Sequence, residues 1–278
     1  MKRRTFVQAL GAAAVGVVGL PRRVFSADKL ARVGLELYSV RKAMRADPDR
    51  TMAAVRAIGY TDVELLWSMN NFGRTPDQVK AILKQEGLRA PSAHIDPRSM
   101  QADWQKSLDN AKLLGMTYLI VPSLPDSAKT LDDWKTWADR LNTAGAAARK
   151  SNLWVAFHNE PEHMKPIDGQ IPYDVFIARL DPSVVRLQLD VGNMIIGGGD
   201  PMQYLAKHKD RYWSFHLKDV VPDKTKDTEL GTGIVNFKAL LATVPNLSAK
   251  PAYVEQEGPT DELASMKVDF NYLNTLQF

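Results

Sequence analysis

Short apolar runs and longer amphipathic stretches alternate along almost the whole chain after residue 27. The short runs, bounded by glycine, proline or acidic residues, predict strands, and the stretches with apolar residues every three or four positions predict helices. Eight strands are predicted, over residues 32–40, 62–66, 89–95, 118–124, 153–160, 185–191, 212–218 and 252–256. Eight helices are predicted after them in turn, over residues 49–58, 76–85, 101–114, 131–150, 172–180, 201–209, 236–241 and 261–276.

Eight consecutive strand–helix units predict an α/β fold, a (β/α)8 or TIM barrel, in which residues 28–278 form a single domain. The stretch 153–157 is apolar on both faces, as strands of a buried parallel sheet are. A doubly wound open sheet is the alternative. Polar residues end nearly every predicted strand, which favours the closed barrel because barrels carry their chemistry at the C-terminal ends of the strands.

Residues 1–27 are predicted to be a twin-arginine-type signal peptide. They begin with basic residues and continue in an apolar run from Val7 to Leu20, which is too short to span a bilayer. The segment Arg3-Arg4-Thr5-Phe6-Val7 resembles the twin-arginine export signature. This predicts an exported, periplasmic protein that uses the twin-arginine translocation machinery and has no stable membrane span. An uncleaved amphipathic anchor or a basic tail is the alternative interpretation.

The excess of basic over acidic residues in the chain is confined to this leader. The formal net charge is +4, and residues 1–27 hold five basic residues and no acidic one. Removing these five from the 36 basic residues leaves 31 against 32 acidic residues, so the remainder has no excess of positive charge for nucleic acid. The chain has no cysteine, which excludes disulfides, thiolate metal sites and a cysteine nucleophile.

Acidic and histidine side chains recur at strand ends through the second half of the chain. The four residues concerned are separated by 30, 26 and 39 positions, about one strand–helix unit each: Glu160, Asp190, His216 and Glu255. Equivalent points on successive barrel strands converge on the mouth of the barrel, so these side chains are predicted to meet.

Three carboxylates and one imidazole suit a hard or borderline divalent ion. Mn²⁺ or Mg²⁺ comes first, and Co²⁺ or Zn²⁺ are the alternatives. Leaving three ionised acids buried without a cation would be costly, because like charges force proton uptake. The spacing therefore predicts one divalent metal ion held by Glu160, Asp190, His216 and Glu255.

Five short motifs, taken in order and spacing, resemble the xylose isomerase-like barrel superfamily. The resemblance runs from about Arg32 to the C-terminus and is strongest to the sugar phosphate isomerase/epimerase group, which includes ketose 3-epimerases, inosose dehydratases and hydroxypyruvate isomerases. The motifs are Phe157-His158-Asn159-Glu160, Leu187-Gln188-Leu189-Asp190-Val191-Gly192-Asn193, Ser214-Phe215-His216-Leu217-Lys218-Asp219, Gly231-Thr232-Gly233-Ile234-Val235-Asn236-Phe237 and Tyr253-Val254-Glu255-Gln256.

The resemblance implies a manganese-type site on the same four residues and proton transfer through an enediolate of a sugar. In the ketose epimerases the two metal-ligating glutamates move the proton, which implies catalytic roles for Glu160 and Glu255. Two departures stand out. Many relatives have His-Asn-His where this chain has His158-Asn159-Glu160, and Asn193 stands near the place where epimerases often have a histidine.

Four further polar residues near strand ends are predicted to contact substrate: Glu64, His94, His158 and Lys218. Each also has a structural alternative. Glu64, like Glu36, can cap a loop, His94 can be a structural hydrogen-bonding group, and Lys218 can be a solvated charge. His158 can orient the end of the fifth strand from the second coordination shell.

The sequence leaves three functions open. The first is a metal-dependent isomerase or epimerase of a sugar or sugar derivative. The second is a lyase or hydratase that eliminates a β-substituent from a 3-keto sugar or keto-glycoside, which export and the lack of a basic body favour somewhat. The third is a periplasmic sugar-binding protein. Four ionisable ligand residues argue against the third, because binding alone needs no such cluster. The sequence indicates no oligomeric state.

Overall fold

The strands of the protein form a closed parallel barrel in a computed structural model that describes residues 29–278. Going around the barrel, the order is β1-β10-β7-β6-β5-β4-β3-β2, and every neighbouring pair is parallel. The barrel strands are β1 (Gly34–Glu36), β2 (Asp62–Leu66), β3 (Arg89–His94), β4 (Tyr118–Val121), β5 (Trp154–His158), β6 (Val185–Asp190), β7 (Tyr212–Leu217) and β10 (Ala252–Val254). The predicted (β/α)8 fold is confirmed.

A small antiparallel hairpin follows the seventh barrel strand. It pairs β8 (Asp219–Val220) with β9 (Asp227–Thr228) above the C-terminal end of the barrel.

Helices cover the outside of the barrel, and many begin at a side-chain cap. Thr75 and Thr130 each form a capping box, and Asp47, Asp200 and Asp261 accept backbone N–H groups of the first turn. The helices are α1 (Arg41–Ala46), α2 (Pro48–Ile58), α3 (Pro76–Glu86), α4 (Ser99–Ala102), α5 (Trp104–Leu113), α6 (Leu131–Arg149), α7 (Pro172–Arg179), α8 (Val191–Ile196), α9 (Pro201–His208), α10 (Phe237–Ala242) and α11 (Glu262–Thr275).

Strand side chains alternate between an outer apolar core and the barrel interior, which holds a small apolar cluster and is polar toward its C-terminal end. On β5, Val155 and Phe157 pack into the core between strands and helices, whereas Trp154, Ala156 and His158 belong to the other face. Because both faces are covered, the strand reads as nearly continuous apolar sequence. The polar residues of the inner face are thereby stacked along the barrel axis toward its C-terminal end.

Several predicted boundaries differ from the structure. The first strand ends at Glu36, and the predicted strand residues that follow it form a 3-10 helix, Leu37–Val40. The predicted helix over 101–114 is divided at Asp103, which has an extended φ of −152°. The short helix α8 follows β6 directly and was not predicted, because its apolar sequence continues that of the strand.

The predicted signal peptide lies outside the residues that the structure describes. Among residues 29–278, no helix combines the length and the apolar character needed to cross a membrane.

Candidate active site

The C-terminal ends of six barrel strands deliver ionisable side chains to one place. Glu36, His94, His158 and Asp190 are the last residues of their strands, His216 is the last but one of β7, and Glu255 directly follows β10. All six residues are buried. Successive parallel strands place these equivalent positions side by side, as the register of Asp190 against His216 shows.

Four of these side chains form the cluster that we call the tetrad: His158, Asp190, His216 and Glu255. One ligand atom from each lies within 4.8 Å of all the others. His216 Nδ1 is 2.6 Å from Glu255 Oε2 and 3.7 Å from Asp190 Oδ2, and His158 Nε2 is 3.5 Å from Asp190 Oδ2. The structure thus brings together three of the four predicted metal ligands, and the member from β5 is His158 instead of Glu160.

Glu160 lies two residues beyond the end of β5, outside the tetrad but next to it. Its Oε1 is 3.6 Å from His158 Nδ1, and its Oε2 accepts a hydrogen bond of 2.9 Å from Asn193 Nδ2. Its backbone N–H donates to His163 Nδ1, because Glu160 caps a 3-10 helix, Pro161–Met164. Burial raises the pKa of Glu160 to about 8, although His158 and Lys218 pull the other way.

Two tetrad atoms are buried without a hydrogen-bond partner. They are His158 Nε2 and Asp190 Oδ2, and both point into the cluster. Asp190 Oδ2 has Lys218 Nζ at 3.1 Å, but without the geometry of a hydrogen bond. Buried polar atoms are rarely left unpaired, so an imidazole nitrogen and a carboxylate oxygen that face one point fit a bound cation.

Lys218 is a buried cation beside the tetrad. Its Nζ donates to Asn193 Oδ1 at 2.8 Å and to Glu257 Oε1 at 2.7 Å, and lies 3.3 Å from Glu255 Oε2. Burial by itself lowers the pKa of Lys218, but the nearby carboxylates Asp190 and Glu255 outweigh it and raise that pKa well above its usual range.

Lys218 in turn affects the pKa values of two of the three carboxyl groups that it contacts, Asp190 and Glu255. Burial by itself raises the pKa of Asp190 and of Glu255, but the Lys218 ammonium and the histidines beside them hold both pKa values below the usual range. Lys218 thus offsets part of the negative charge of the three acids, an internal positive charge that the prediction of a cation from the sequence does not include.

Only a glycine allows Lys218 to reach this position. A Cβ atom on Gly192, the second residue of α8, would lie 2.6 Å from Lys218 Cγ. The lysine side chain therefore passes against the bare backbone of α8. The burial of Lys218 depends on Gly192, which belongs to another unit of the barrel. The sequence around Lys218 alone therefore does not indicate that the lysine is buried.

Glu64 lies beneath the tetrad and holds His216 from below. Its Oε2 is 2.5 Å from His216 Nε2, and its other oxygen accepts a hydrogen bond from Ser92 Oγ. Gln188 Nε2 donates to both carboxylate oxygens at 3.1 Å. Burial by itself raises the pKa of Glu64, but the charges of His94 and His216 outweigh it and lower the pKa to about 2. Glu64 has no exposed surface, so the structure gives it a contact with His216 instead of the predicted contact with substrate.

His94 and Glu36 form a second pair beside His216, with the His94 ring stacked on the His216 ring at 5.2 Å and its Nε2 at 3.2 Å from Glu64 Oε2. The Nδ1 atom of His94 is 3.2 Å from Glu36 Oε1, and its Nε2 is 2.9 Å from Gln188 Oε1. Burial lowers the pKa of His94 to about 4, and burial together with Glu255 raises the pKa of Glu36 well above its usual range. Glu36 Oε2 is buried and has no hydrogen-bond partner.

A cavity of about 450 Å³ opens above the tetrad, within the size range of small-molecule sites. The wall includes His94 and His158, as their predicted contact with substrate requires, and the predicted catalytic residues Glu160 and Glu255. Lys218 and Glu64 do not belong to the wall. Nothing in the sequence marks Glu36 as more than a residue near the mouth, because its place in the cavity wall follows from the early end of β1.

A closed (β/α)8 barrel with acids and histidines gathered at its C-terminal mouth defines the class of protein. The family described as xylose isomerase-like TIM barrel matches residues 52–276, and the chain belongs to this family. The prediction from the sequence motifs is confirmed.

Individual relatives cover the chain to different extents. An inosose dehydratase of Salmonella agona (strain SL483) is 31% identical over 143 residues, which are 45% of this chain and 45% of the relative. The chain thus matches less than half the length of that curated relative.

Two solved structures share the fold over most of their length. A sugar phosphate isomerase/epimerase from Parabacteroides distasonis ATCC 8503 has a TM-score of 0.74 and 23% identity, and the match covers 89% of this chain and 94% of that one. The IolI protein with a bound zinc atom has a TM-score of 0.66 and 12% identity, with 86% of this chain and 95% of that one covered. At these identities the likeness shows the fold.

Proposed function

We propose that the protein is an enzyme that transfers protons on a polyhydroxylated carbonyl compound with the help of one divalent metal ion. The observation that carries the proposal is the tetrad, in which two unpartnered ligand atoms face one point at the wall of a small-molecule cavity. A zinc atom in the structurally similar IolI protein supports the metal.

The tetrad residues His158, Asp190, His216 and Glu255 would hold the ion. Two imidazoles and two carboxylates suit borderline ions such as Zn²⁺, Mn²⁺ and Co²⁺ better than Mg²⁺, which prefers oxygen ligands. The preference for Mn²⁺ expected from three carboxylates stays a prediction. When bound, such an ion supplies Lewis acidity, which makes a C–H bond beside a substrate carbonyl more acidic.

Glu255 and Glu160 are the proposed proton carriers. They follow β10 and β5, which have two strands between them in the barrel, so the two carboxyl groups flank the cavity. The pKa of Glu255 is held below its usual range by Lys218 and His216 against the effect of burial, which keeps this carboxylate able to accept a proton. Burial raises the pKa of Glu160 to about 8, which keeps this carboxyl able to donate one near neutral pH.

Elimination of water is the outcome that the relatives favour. Glu255 would remove the proton beside the carbonyl, and Glu160 would protonate the departing β-hydroxyl group, so that a carbon–carbon double bond and water are formed. Similarity to inosose dehydratases supports this outcome. Isomerisation or epimerisation uses the same first step and returns the proton to carbon, and likeness in fold to a sugar phosphate isomerase/epimerase supports it less directly.

Proton NMR in D2O tests the proposal and separates its two outcomes. The protein, freed of metal with a chelator and then reloaded with Zn²⁺ or Mn²⁺, is incubated with inososes and ketoses. Elimination is seen as loss of the proton signals of the two reacting carbons with a new alkene signal, and isomerisation or epimerisation as deuterium incorporation without loss of a group. Glu255→Gln is expected to lower the rate by a factor of roughly 100–10,000, since it removes the base.

A matched control is Glu86→Gln at the C-terminal end of α3, on the opposite side of the barrel from the cavity. It is expected to keep the wild-type rate. Full activity of the Glu255→Gln protein, or of the chelated protein, would contradict the proposal. Binding of sugars with neither exchange nor elimination would instead indicate a receptor.

We also propose that residues 1–27 export the folded protein through the twin-arginine machinery. The basic start, the short apolar run and Arg3-Arg4 support this. Replacing both arginines by lysine should leave a tagged protein in the cytoplasm of an expressing bacterium, whereas the wild type reaches the periplasm. Equal distribution of the two proteins would count against the leader. A protein that lacks residues 1–27 is expected to be soluble and active.

A further inference from the structure

The wall of the cavity is rich in carboxyl groups and poor in positive charge. Among the residues that the structure describes, five of the fourteen wall residues are glutamates and none is lysine or arginine; the five are Glu36, Glu160, Glu162, Glu255 and Glu257. Arg41 stacks on the Tyr38 ring at 4.1 Å and donates to the Tyr38 carbonyl, but it is not part of the wall. Phosphate groups are normally held by arginine, lysine or free backbone N–H groups.

Lys218 does not supply the missing charge. Its ammonium is 1% exposed and is already engaged by Asn193 Oδ1 and Glu257 Oε1, with Asp190 and Glu255 beside it. An incoming anion would have to replace carboxylates that are fixed in the protein. The positive charge of Lys218 is therefore balanced before any substrate arrives.

Several backbone N–H groups of the loops after β7 and β10 are occupied as well. In (β/α)8 barrels a phosphate is frequently bound by the loops after the seventh and eighth strands. Here the carboxyl group of Asp219, just after β7, accepts four N–H groups at 2.8 to 3.0 Å, from Val220, Gly231, Gly233 and Val235. After β10, the N–H of Glu257 donates to the Asp227 carboxyl group.

Asp219 thus fills the kind of N–H cradle that binds an anion in other proteins. The fit is close, because a Cβ atom on Gly233 would lie 2.2 Å from Asp219 Oδ1. Asp219 is completely buried, so no external group can share these donors without displacing it.

We propose that the site takes uncharged polyhydroxylated carbonyl compounds and discriminates against their phosphate esters. The inference rests on the proposed function and adds the charge of its substrate. Glutamate oxygens around the cavity accept hydrogen bonds from hydroxyl groups, which an uncharged sugar or cyclitol offers in number. A phosphate in the same cavity would meet a glutamate-rich wall with no lysine or arginine among its described residues, and Asp190 and Glu255 already lie around the place of the proposed ion.

Equilibrium binding to pairs of probes tests the proposal. The metal-loaded protein is titrated with D-fructose and D-fructose 6-phosphate, and with myo-inositol and myo-inositol 1-phosphate, by saturation-transfer NMR. The neutral member of each pair is expected to bind tighter by a factor of about ten, since two added negative charges meet several carboxylates across a partly hydrated cavity.

A series at the rim shows whether charge causes the preference. Glu162 is exposed at the cavity wall and is not one of the proposed ligands or proton carriers. The preference for the neutral probe is expected to fall by a factor of about three in Glu162→Gln and to fall further in Glu162→Lys. Glu86→Lys, far from the cavity, makes the same charge change as a control and should leave the preference unchanged.

The outcomes separate this inference from the proposed function. Equal or tighter binding of the phosphate esters overturns the inference. A preference for the neutral probe that stays the same in Glu162→Gln and Glu162→Lys also overturns it. Failure of all neutral probes to bind also overturns it. Preference for neutral probes without any proton exchange or elimination supports the inference and contradicts the proposed function.

Discussion

At the scale of single residues, the site depends on how each imidazole is held. His216 lies between Glu255 at Nδ1 and Glu64 at Nε2, with distances of 2.6 and 2.5 Å. A carboxylate that accepts the Nε2 proton leaves Nδ1 as the ligand atom and fixes the orientation of the ring. Glu64 is therefore a positioning residue, since it touches His216 and does not reach the cavity.

Replacing Glu64 by Gln is expected to lower the affinity of the protein for Zn²⁺ by a factor of roughly 10–100, because the ring loses its anionic partner. Calorimetric titration measures the change, and circular dichroism checks that the barrel remains folded. Ser92→Ala removes a hydrogen bond to the other oxygen of Glu64 and serves as a control with a smaller effect. An unchanged affinity in Glu64→Gln would contradict the positioning role.

Residue types and spacing were enough to predict the convergence of Asp190, His216 and Glu255, because each stands at the end of a strand in successive units. They were not enough to choose between His158 and Glu160. The strand ends at His158, and the 3-10 turn that begins at Pro161 directs Glu160 toward Asn193. That direction depends on Asn193 in another unit as well as on the local cap by His163.

At the scale of elements, the loop from β9 to α10 is organised by one side chain. Asp219 at the start of β8 accepts N–H groups from residues up to sixteen positions away. The motif from Gly231 to Phe237 is part of the family resemblance. The structure shows that three of its N–H groups, those of Gly231, Gly233 and Val235, donate to the Asp219 carboxyl group. Gly233 belongs to the motif because no side chain fits beside the Asp219 carboxyl group.

Asp219→Ala is expected to lower the free energy of unfolding by about 2–4 kcal/mol, since it leaves several buried N–H groups without an acceptor. Urea denaturation of the variant and the wild type measures the difference. Asp223→Ala, on an exposed turn of the same loop region, is the matched control and should change the value by less than about 1 kcal/mol. A loss in Asp219→Ala no greater than in this control would contradict the role of Asp219.

At the scale of the whole molecule, the order of eight strand–helix units was predictable because parallel strands buried on both faces have a distinct apolar pattern. The ends of those units were less predictable. The first strand is only three residues long, and its apolar continuation turns into a 3-10 helix that brings Glu36 to the cavity. The barrel thus fixes which residues meet, and the local turns fix which atoms face the cavity.

The proposed chemistry depends on one divalent ion held by the tetrad. Calorimetric titration of metal-free protein with Zn²⁺ and Mn²⁺ measures this binding in the wild type, His158→Gln and Glu160→Gln. We expect one ion per chain in the wild type and a larger loss of affinity in His158→Gln than in Glu160→Gln. A wild-type protein that binds neither ion, or one that loses its ion only when Glu160 is replaced, would show that the tetrad does not hold a metal ion.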